Sequence, residues 1–221
     1  VAHNAISDVV VERKHPHLVG TENGLFSAQG NGCGRIFILE VFFMSDWRLT
    51  TENTALVVVD VQEKLMAAMP RREELLSGVQ KLLGAAKVLQ LPVVLTAQYP
   101  KGLGPVCPEI GGGPVIEKMT FSCCGEAAFQ RAVKELRRQR LIVCGVETHV
   151  CVQQTAIDLM KDYFVYVPVD AVCSRRDLDR DVAIERLRDC GAVITTVESA
   201  IFELLREAGT EAFKQCRHLF K

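Results

Sequence analysis

From Thr54 onward the chain alternates short β-branched runs with longer segments whose apolar residues recur at helical spacing. Ala55–Val59, an unbroken apolar run of strand length, predicts a strand buried on both faces. Arg71–Gln90 sets Leu75, Leu76, Val79, Leu82, Leu83 and Ala86 on one side and predicts an amphipathic helix. Pro92–Thr96 predicts a second strand, the Gly- and Pro-rich stretch from Gln98 to Pro114 a loop, and Val115–Lys118 a short extended piece. The alternation then continues through a helix at Ala127–Arg138, a strand at Leu141–Cys144, a helix at Thr148–Asp162 and a strand at Val165–Val169. A helix at Leu178–Cys190, a strand at Val193–Val197 and a closing helix at Ser199–Ala208 complete it. Near-continuous apolar strands separated by helices predict a parallel sheet covered on both faces and joined by right-handed crossovers. The fold class is therefore α/β, a single three-layer α/β/α domain with a mostly parallel sheet.

Residues 1–43 break this pattern. They mix Gly, Asn, Ser and His around one short apolar patch, Ile36–Phe43, and show no sustained helical or strand period. Met44-Ser-Asp-Trp-Arg-Leu-Thr50 reads as a natural domain beginning. We expect residues 1–43 to be an irregular N-terminal extension upstream of the native start, and residues 44–221 to be the folded domain. The rival readings are a genuine flexible extension or an extra strand at Ile36–Phe43.

Composition narrows the partners. Lys plus Arg is 26 and Asp plus Glu is 27, so a net charge of −1 supplies no field to hold nucleic acid or an anionic membrane. No apolar run approaches the roughly 20 residues that span a bilayer, and the N-terminus lacks the basic-then-apolar order of a secretory signal, so a cytoplasmic location is expected. Nine cysteines are an odd number, and several, such as Cys144 and Cys173, sit in apolar runs; reduced core thiols are the expectation. There is no Cys-x-x-Cys, and the adjacent Cys123-Cys124 pair is a poor chelate, so no metal is expected. Neither Gly-x-Gly-x-x-Gly nor a phosphate-loop motif occurs, and Gly111-Gly-Gly113 reads as a flexible turn over the pocket.

In parallel sheets of this kind the ligand crevice lies beyond the carboxyl ends of the strands. Three residues close strands there: Asp60 after Leu56-Val-Val-Val, Lys118 after Val115-Ile-Glu, and Cys151 in the turn after Leu141–Cys144. Taken singly, each has a structural reading: Asp60 as a helix cap, Lys118 as a solvated strand end, Cys151 as a buried thiol. Together, an acid, a cation and a thiol on one rim make a coherent catalytic set. Unpaired N–H groups at a helix start can lower a cysteine's pKa toward the thiolate. The five histidines are His3, His15, His17, His149 and His218, with none between Met44 and Thr148, so a cysteine–histidine pair is hard to build. A buried carboxylate is a stronger base than one in water, which allows Asp60 to deprotonate Cys151 while Lys118 stabilises the charge. His149 is too near Cys151 along the chain to reach it easily and is read as a rim or surface residue. Gln98, Tyr99 and Phe121 are further candidates for the pocket wall.

Val57-Val-Val-Asp-Val-Gln62, Lys118-Met-Thr-Phe-Ser122 and Gly145-Val-Glu-Thr-His-Val-Cys-Val152 resemble, in order, the three signature blocks of the isochorismatase-like cysteine hydrolases, over about residues 52–205. The Gln98–Gly104 loop and the Ser174-Arg175-Arg176 turn resemble the isochorismatase-domain proteins more than nicotinamidases. The resemblance implies a flavodoxin-like three-layer fold, an Asp60–Lys118–Cys151 triad, a cis peptide at Val146–Glu147, and an oxyanion hole from the N–H groups of Glu147 and Cys151. It also implies a homo-oligomer acting on a small molecule. Nicotinamidases carry an Asp-x-His metal motif where this chain has Ala97-Gln98-Tyr99-Pro100, so neither metal nor other cofactor is implied. True isochorismatases, which cleave a vinyl ether, generally lack the cysteine at this position, so Cys151 points away from that reaction.

The leading expectation is thus a cofactor-independent cysteine hydrolase acting on a small amide or related C–N bond through an acyl-enzyme on Cys151. The alternatives are a thiol redox sensor and a non-catalytic binding protein on the same fold. As for domain limits, a chain expressed from Met44 is expected to remain soluble and active; loss of either would assign residues 1–43 to the working protein.

Overall fold

Alternation along the first strand sets the layers. The computed structural model describes residues 47–220, so the expectations for residues 1–43, for the Ile36–Phe43 patch and for a start at Met44 lie outside the described residues. Among the described residues seven strands run β1 Thr54–Val59, β2 Val93–Gln98, β3 Val115–Lys118, β4 Arg140–Val146, β5 Phe164–Pro168, β6 Val172–Cys173 and β7 Val193–Thr195. Eight α-helices run α1 Glu63–Ala67, α2 Arg72–Leu89, α3 Pro100–Leu103, α4 Ala127–Glu135, α5 Gln153–Leu159, α6 Asp177–Asp189, α7 Val197–Leu205 and α8 Glu211–Cys216. The sheet order is β3-β2-β1-β4-β5-β7, with β6 paired to β4, and every pair of strands is parallel.

Leu56 and Val58 of β1 point to one side and pack with the apolar stripes of α2 and α7 and with Cys216 of α8. Ala55, Val57 and Val59 point to the other and pack with α4, α5 and α6, through Phe129, Val133, Ala156, Leu159 and Leu187. Two cores on opposite faces of one sheet make the expected three-layer arrangement. All six residues of β1 are buried, as its unbroken apolar run requires for a strand covered on both sides.

The differences from the expected elements are local and have causes. β2 and β4 extend two residues beyond the predicted ends because tertiary pairing outweighs composition: Ala97 and Gln98 are opposite Glu117 and Lys118, and Gly145 and Val146 are opposite Val172 and Cys173. The expected helix at Thr148–Asp162 opens instead with a π turn, Thr148–Val152, in which the Val152 N–H donates to the Glu147 carbonyl at 3.2 Å. The expected closing helix ends at Leu205, where Arg206 takes φ 65°, and a further helix, α8, starts on a Thr210 cap. Phe220 after α8 stacks on Phe202 of α7 at 4.5 Å between ring centroids. α1 and α3 are too short for periodicity to reveal. Among the described residues, no helix is long and apolar enough to cross a membrane.

One glycine sets how closely β1 and β4 approach. Gly145 has φ 115°, and a Cβ there would lie 2.0 Å from the Val59 carbonyl oxygen. Gly145→Ala is therefore expected to destabilise the domain by at least ~2 kcal/mol, combining left-handed strain with a backbone clash. Gly112→Ala, at a site with nothing within 4 Å, should change stability by less than ~0.5 kcal/mol. Urea denaturation of both variants checks the contrast.

Candidate active site

Strand order reverses at β1. From β1 the chain builds outward through β2 and β3 on one side, then returns to place β4 on the other, so the gap beyond the carboxyl ends of β1 and β4 is the topological switch point. Val59 is opposite Gly145, which sets Asp60 directly beside Val146 and the turn that follows β4. On the other side Lys118, the last residue of β3, is opposite Gln98, the last of β2. Cys151 stands in the π turn that opens the helix after β4. π turns insert an extra residue into a helical ladder and recur at functional sites, and a 3.6-residue period in the sequence cannot disclose one.

The three side chains come together. Lys118 Nζ lies 2.7 Å from Asp60 Oδ2, with both side chains fully buried. The ammonium also donates to Gln98 Oε1 at 2.6 Å and to the carbonyls of Phe121 and Thr120 at 3.1 and 3.2 Å. Four acceptors for three N–H bonds leave this lysine a fixed cation. Thr96 Oγ1 donates to Asp60 Oδ1 at 2.7 Å, and the Asp60 N–H donates back to Thr96 Oγ1 at 3.3 Å. Oδ2 receives no amide or hydroxyl hydrogen bond, and its partner at 2.7 Å is the Lys118 ammonium. Asp60 takes φ 52°, and it caps no helix. The Cys151 thiol, 5% exposed, interacts with the same carboxylate.

Burial, with the negative charge and hydrogen bond of Asp60, pushes the Cys151 thiol up to about 12, against the pull of Lys118. The resting sulfur therefore carries its proton. This corrects the expectation that a position in the first helical turn would lower it: desolvation and the adjacent carboxylate outweigh the N–H groups of the turn. Burial acts to lower the Lys118 ammonium, but the charge and hydrogen bond of the adjacent Asp60 offset it, and the group is held above its ordinary value.

The remaining sequence-predicted residues divide. Gln98 is buried with its side chain turned inward, accepting from Lys118 and donating to the Met119 carbonyl at 2.8 Å. Tyr99 and Phe121 are exposed, at 45% and 56%. His149 is half-buried, and its Nδ1 lies 3.0 Å from the buried Ser174 Oγ. The Val146–Glu147 peptide is cis. The Glu147 carboxylate accepts from the Arg175 N–H and Nε, each at 3.0 Å, which ties the turn after β4 to the Ser174–Arg176 turn. Among the described residues no three His, Cys, Asp or Glu side chains are grouped to hold a metal.

Sequence reasoning missed three supports. Thr96 is a polar residue inside an apolar stretch, which is the signal that could have found it, whereas Gln62, between Val61 and Glu63, carries no such mark. The Gln62 amide donates to the carbonyls of Gln98 and Gly104 at 3.0 and 2.7 Å and accepts from the Gln98 N–H at 2.8 Å, pinning the end of β2. Cys123, considered only as a chelate, is fully buried beside the same carboxylate, its thiol 3.7 Å from Thr96 Oγ1.

Comparison with known proteins agrees with this architecture. The chain is 39% identical over 183 residues to the secreted isochorismatase effector Isc1 of Phytophthora sojae, covering 79% of this chain and 87% of that protein. A ribonuclease named MAR1 from Caenorhabditis elegans superposes with TM-score 0.74 at 35% identity, over 78% of this chain and 91% of that one. The YcaC gene product of Escherichia coli, described as an octameric hydrolase of unknown specificity, superposes with TM-score 0.74 at 27% identity, over 79% of this chain and 90% of that one. The isochorismatase domain family matches residues 54–199, and the chain belongs to that family, within its isochorismatase-domain branch, on a hydrolase-type fold.

Proposed function

We propose that this protein is a cofactor-independent cysteine hydrolase of a small amide or related C–N bond, with Asp60 as base, Lys118 as fixed cation and Cys151 as nucleophile. The observation that carries the reading is one buried carboxylate shared by the Lys118 ammonium at 2.7 Å and the Cys151 thiol. Because the resting thiol is neutral, its proton moves to Asp60 as sulfur attacks the carbonyl carbon. Backbone N–H groups of Glu147 and Cys151 then meet the developing oxyanion. Asp60 returns the proton to the departing amine; water, deprotonated by Asp60, then attacks the thioester and releases the carboxylic acid, and Asp60 passes that proton to the departing Cys151 sulfur. Lys118 keeps a positive charge beside the carboxylate and the transient thiolate throughout.

Depth supports a small substrate. Asp60 and Lys118 are at most 2% exposed and Cys151 only 5%, so only a small reacting group fits against them. The name of the C. elegans relative raises RNA as an alternative, but a net charge of −1 offers no polyanion track. A carbonyl also suits a thiol nucleophile better than the vinyl ether that the isochorismatase name denotes. Assembly into a homo-oligomer is part of the proposal, supported by the octameric E. coli neighbour. A reducing, cytoplasmic setting is supported by eight described cysteines that are all free thiols, although the P. sojae relative is secreted.

A screen of small amides, ureas and carbamoyl compounds, with isochorismate and RNA alongside, tests the substrate class. Cys151→Ala is expected to abolish turnover with the fold intact, and Asp60→Asn to reduce kcat by about 10²–10⁴-fold. Full activity in either variant would dismiss the assignment. A substrate-derived acyl mass on Cys151 supports hydrolysis, whereas reversible sulfenate alone would support the redox-sensor reading.

The neutral thiol has its own signature. The difference in thiolate ultraviolet absorbance between wild type and Cys151→Ala should stay flat from pH 6 to about pH 9 and rise only as pH approaches the value near 12. A step near neutrality would mean a preformed thiolate and a different mechanism.

A further inference from the structure

Thr96 has no freedom left in its hydroxyl. One lone pair takes the Asp60 N–H at 3.3 Å and the other takes the Cys123 thiol at 3.7 Å, so its single proton is committed to Asp60 Oδ1 at 2.7 Å. Cys123 is itself pinned: its N–H donates to Thr155 Oγ1 at 2.9 Å, one helical turn beyond Cys151, and the residue is fully buried. A thiol, a hydroxyl and a carboxylate thus form a directed chain running from behind the sheet edge into the proposed site.

We propose that Thr96, oriented by Cys123, is a positioning residue that assigns the two oxygens of Asp60, occupying Oδ1 so that Oδ2 alone faces Lys118 and accepts the Cys151 proton. The inference rests on the reading of Asp60 as base. Without the Thr96 donor either oxygen could turn toward the ammonium, and the basic lone pair would not be held toward sulfur. The hydroxyl also stabilises the ionised carboxylate, since a hydrogen bond donated to a charged form favours that form. Cys123 is suited to be the donor at the start of the chain, because burial and the Asp60 charge push its thiol up to about 11, so it keeps its proton at neutral pH. The titratable groups facing Asp60 are Lys118 from β3, Cys123 from the turn after it and Cys151 from the π turn.

The test measures iodoacetamide labelling of Cys151 against pH in the full chain, followed by mass of the Cys151 peptide, with melting curves for every variant. Thr96→Val keeps the shape but deletes the hydroxyl. It should move the acid limb of the labelling profile up by about one pH unit, a loss of about tenfold in rate at a pH on that limb. Thr96→Ser should stay within about threefold of wild type. Cys123→Ala should shift the limb in the same direction by a smaller amount, and Cys123→Ser, which restores a donor, should reverse most of it. A wild-type profile in folded Thr96→Val overturns the inference. If that variant does not fold, Cys123→Ala decides, and no shift there overturns it equally. Asp60→Asn separates the two levels: wild-type labelling in that variant would end the base assignment itself. Lost labelling beside an unshifted Thr96→Val would end only the positioning role.

Discussion

The structure depends on a buried ion pair between Asp60 and Lys118. Two charges removed from water cost several kcal/mol each, and their attraction repays this only when the remaining hydrogen-bonding capacity is met. Here it is met from several elements. β2 supplies Thr96 to the carboxylate and Gln98 to the ammonium, and the turn after β3 folds its Thr120 and Phe121 carbonyls inward onto the same nitrogen. The end of β2, the turn after β3 and the end of β1 are therefore held in register by one pair of charges. Such a pair is weak evidence for stability, since a packed apolar substitute could serve as well. Its place at the switch point of the sheet, beside the Cys151 thiol, fits the proposed pairing of a base and a fixed cation.

That group sets the second constraint. A thiol kept neutral by burial cannot be attacked or oxidised as readily as a free thiolate, because reactivity follows thiolate character. The cost is that the nucleophile must be generated within the reaction, which requires a base in contact and a fixed cation to hold the charge. In the proposed mechanism Asp60 is that base and Lys118 that cation, and neither depends on histidine, which the chain lacks from Met44 to Thr148. His149, the one histidine near Cys151 in sequence, is engaged with Ser174.

Much of this is legible in the sequence. Unbroken apolar strands such as Leu56–Val59 can only lie in a doubly covered sheet, and the position of Asp60 at the end of one follows from reading the strand to its limit. The meeting of Asp60, Lys118 and Cys151 was legible because parallel strands deliver all their carboxyl ends to one edge. What the sequence concealed was set by tertiary contact. Strand ends at Gln98 and Val146 are made by pairing with neighbours far along the chain, the π turn leaves no mark on periodicity, and α8 is defined by a cap and aromatic stacking rather than by a long stripe. Most instructive is the thiol: its place near a helix start suggested activation, and only the depth of the site and the contact with Asp60 reverse the sign.

The relatives' names diverge, from a secreted effector to a ribonuclease to an octameric hydrolase, while the fold is shared. The proposed catalytic set, this deeply buried, cannot itself discriminate among large ligands, because it contacts only the few atoms that reach it. In the proposed reading discrimination lies with exposed side chains such as Tyr99, Phe121 and Arg175, the last 62% exposed at its side chain and anchored through Nε to Glu147. The core of the site and its mouth thus obey different physics. The first is a closed network in which each donor is committed, so it tolerates little change. The second consists of side chains on turns that bear little of the fold's packing, and substitution there can redirect the chemistry without dismantling it.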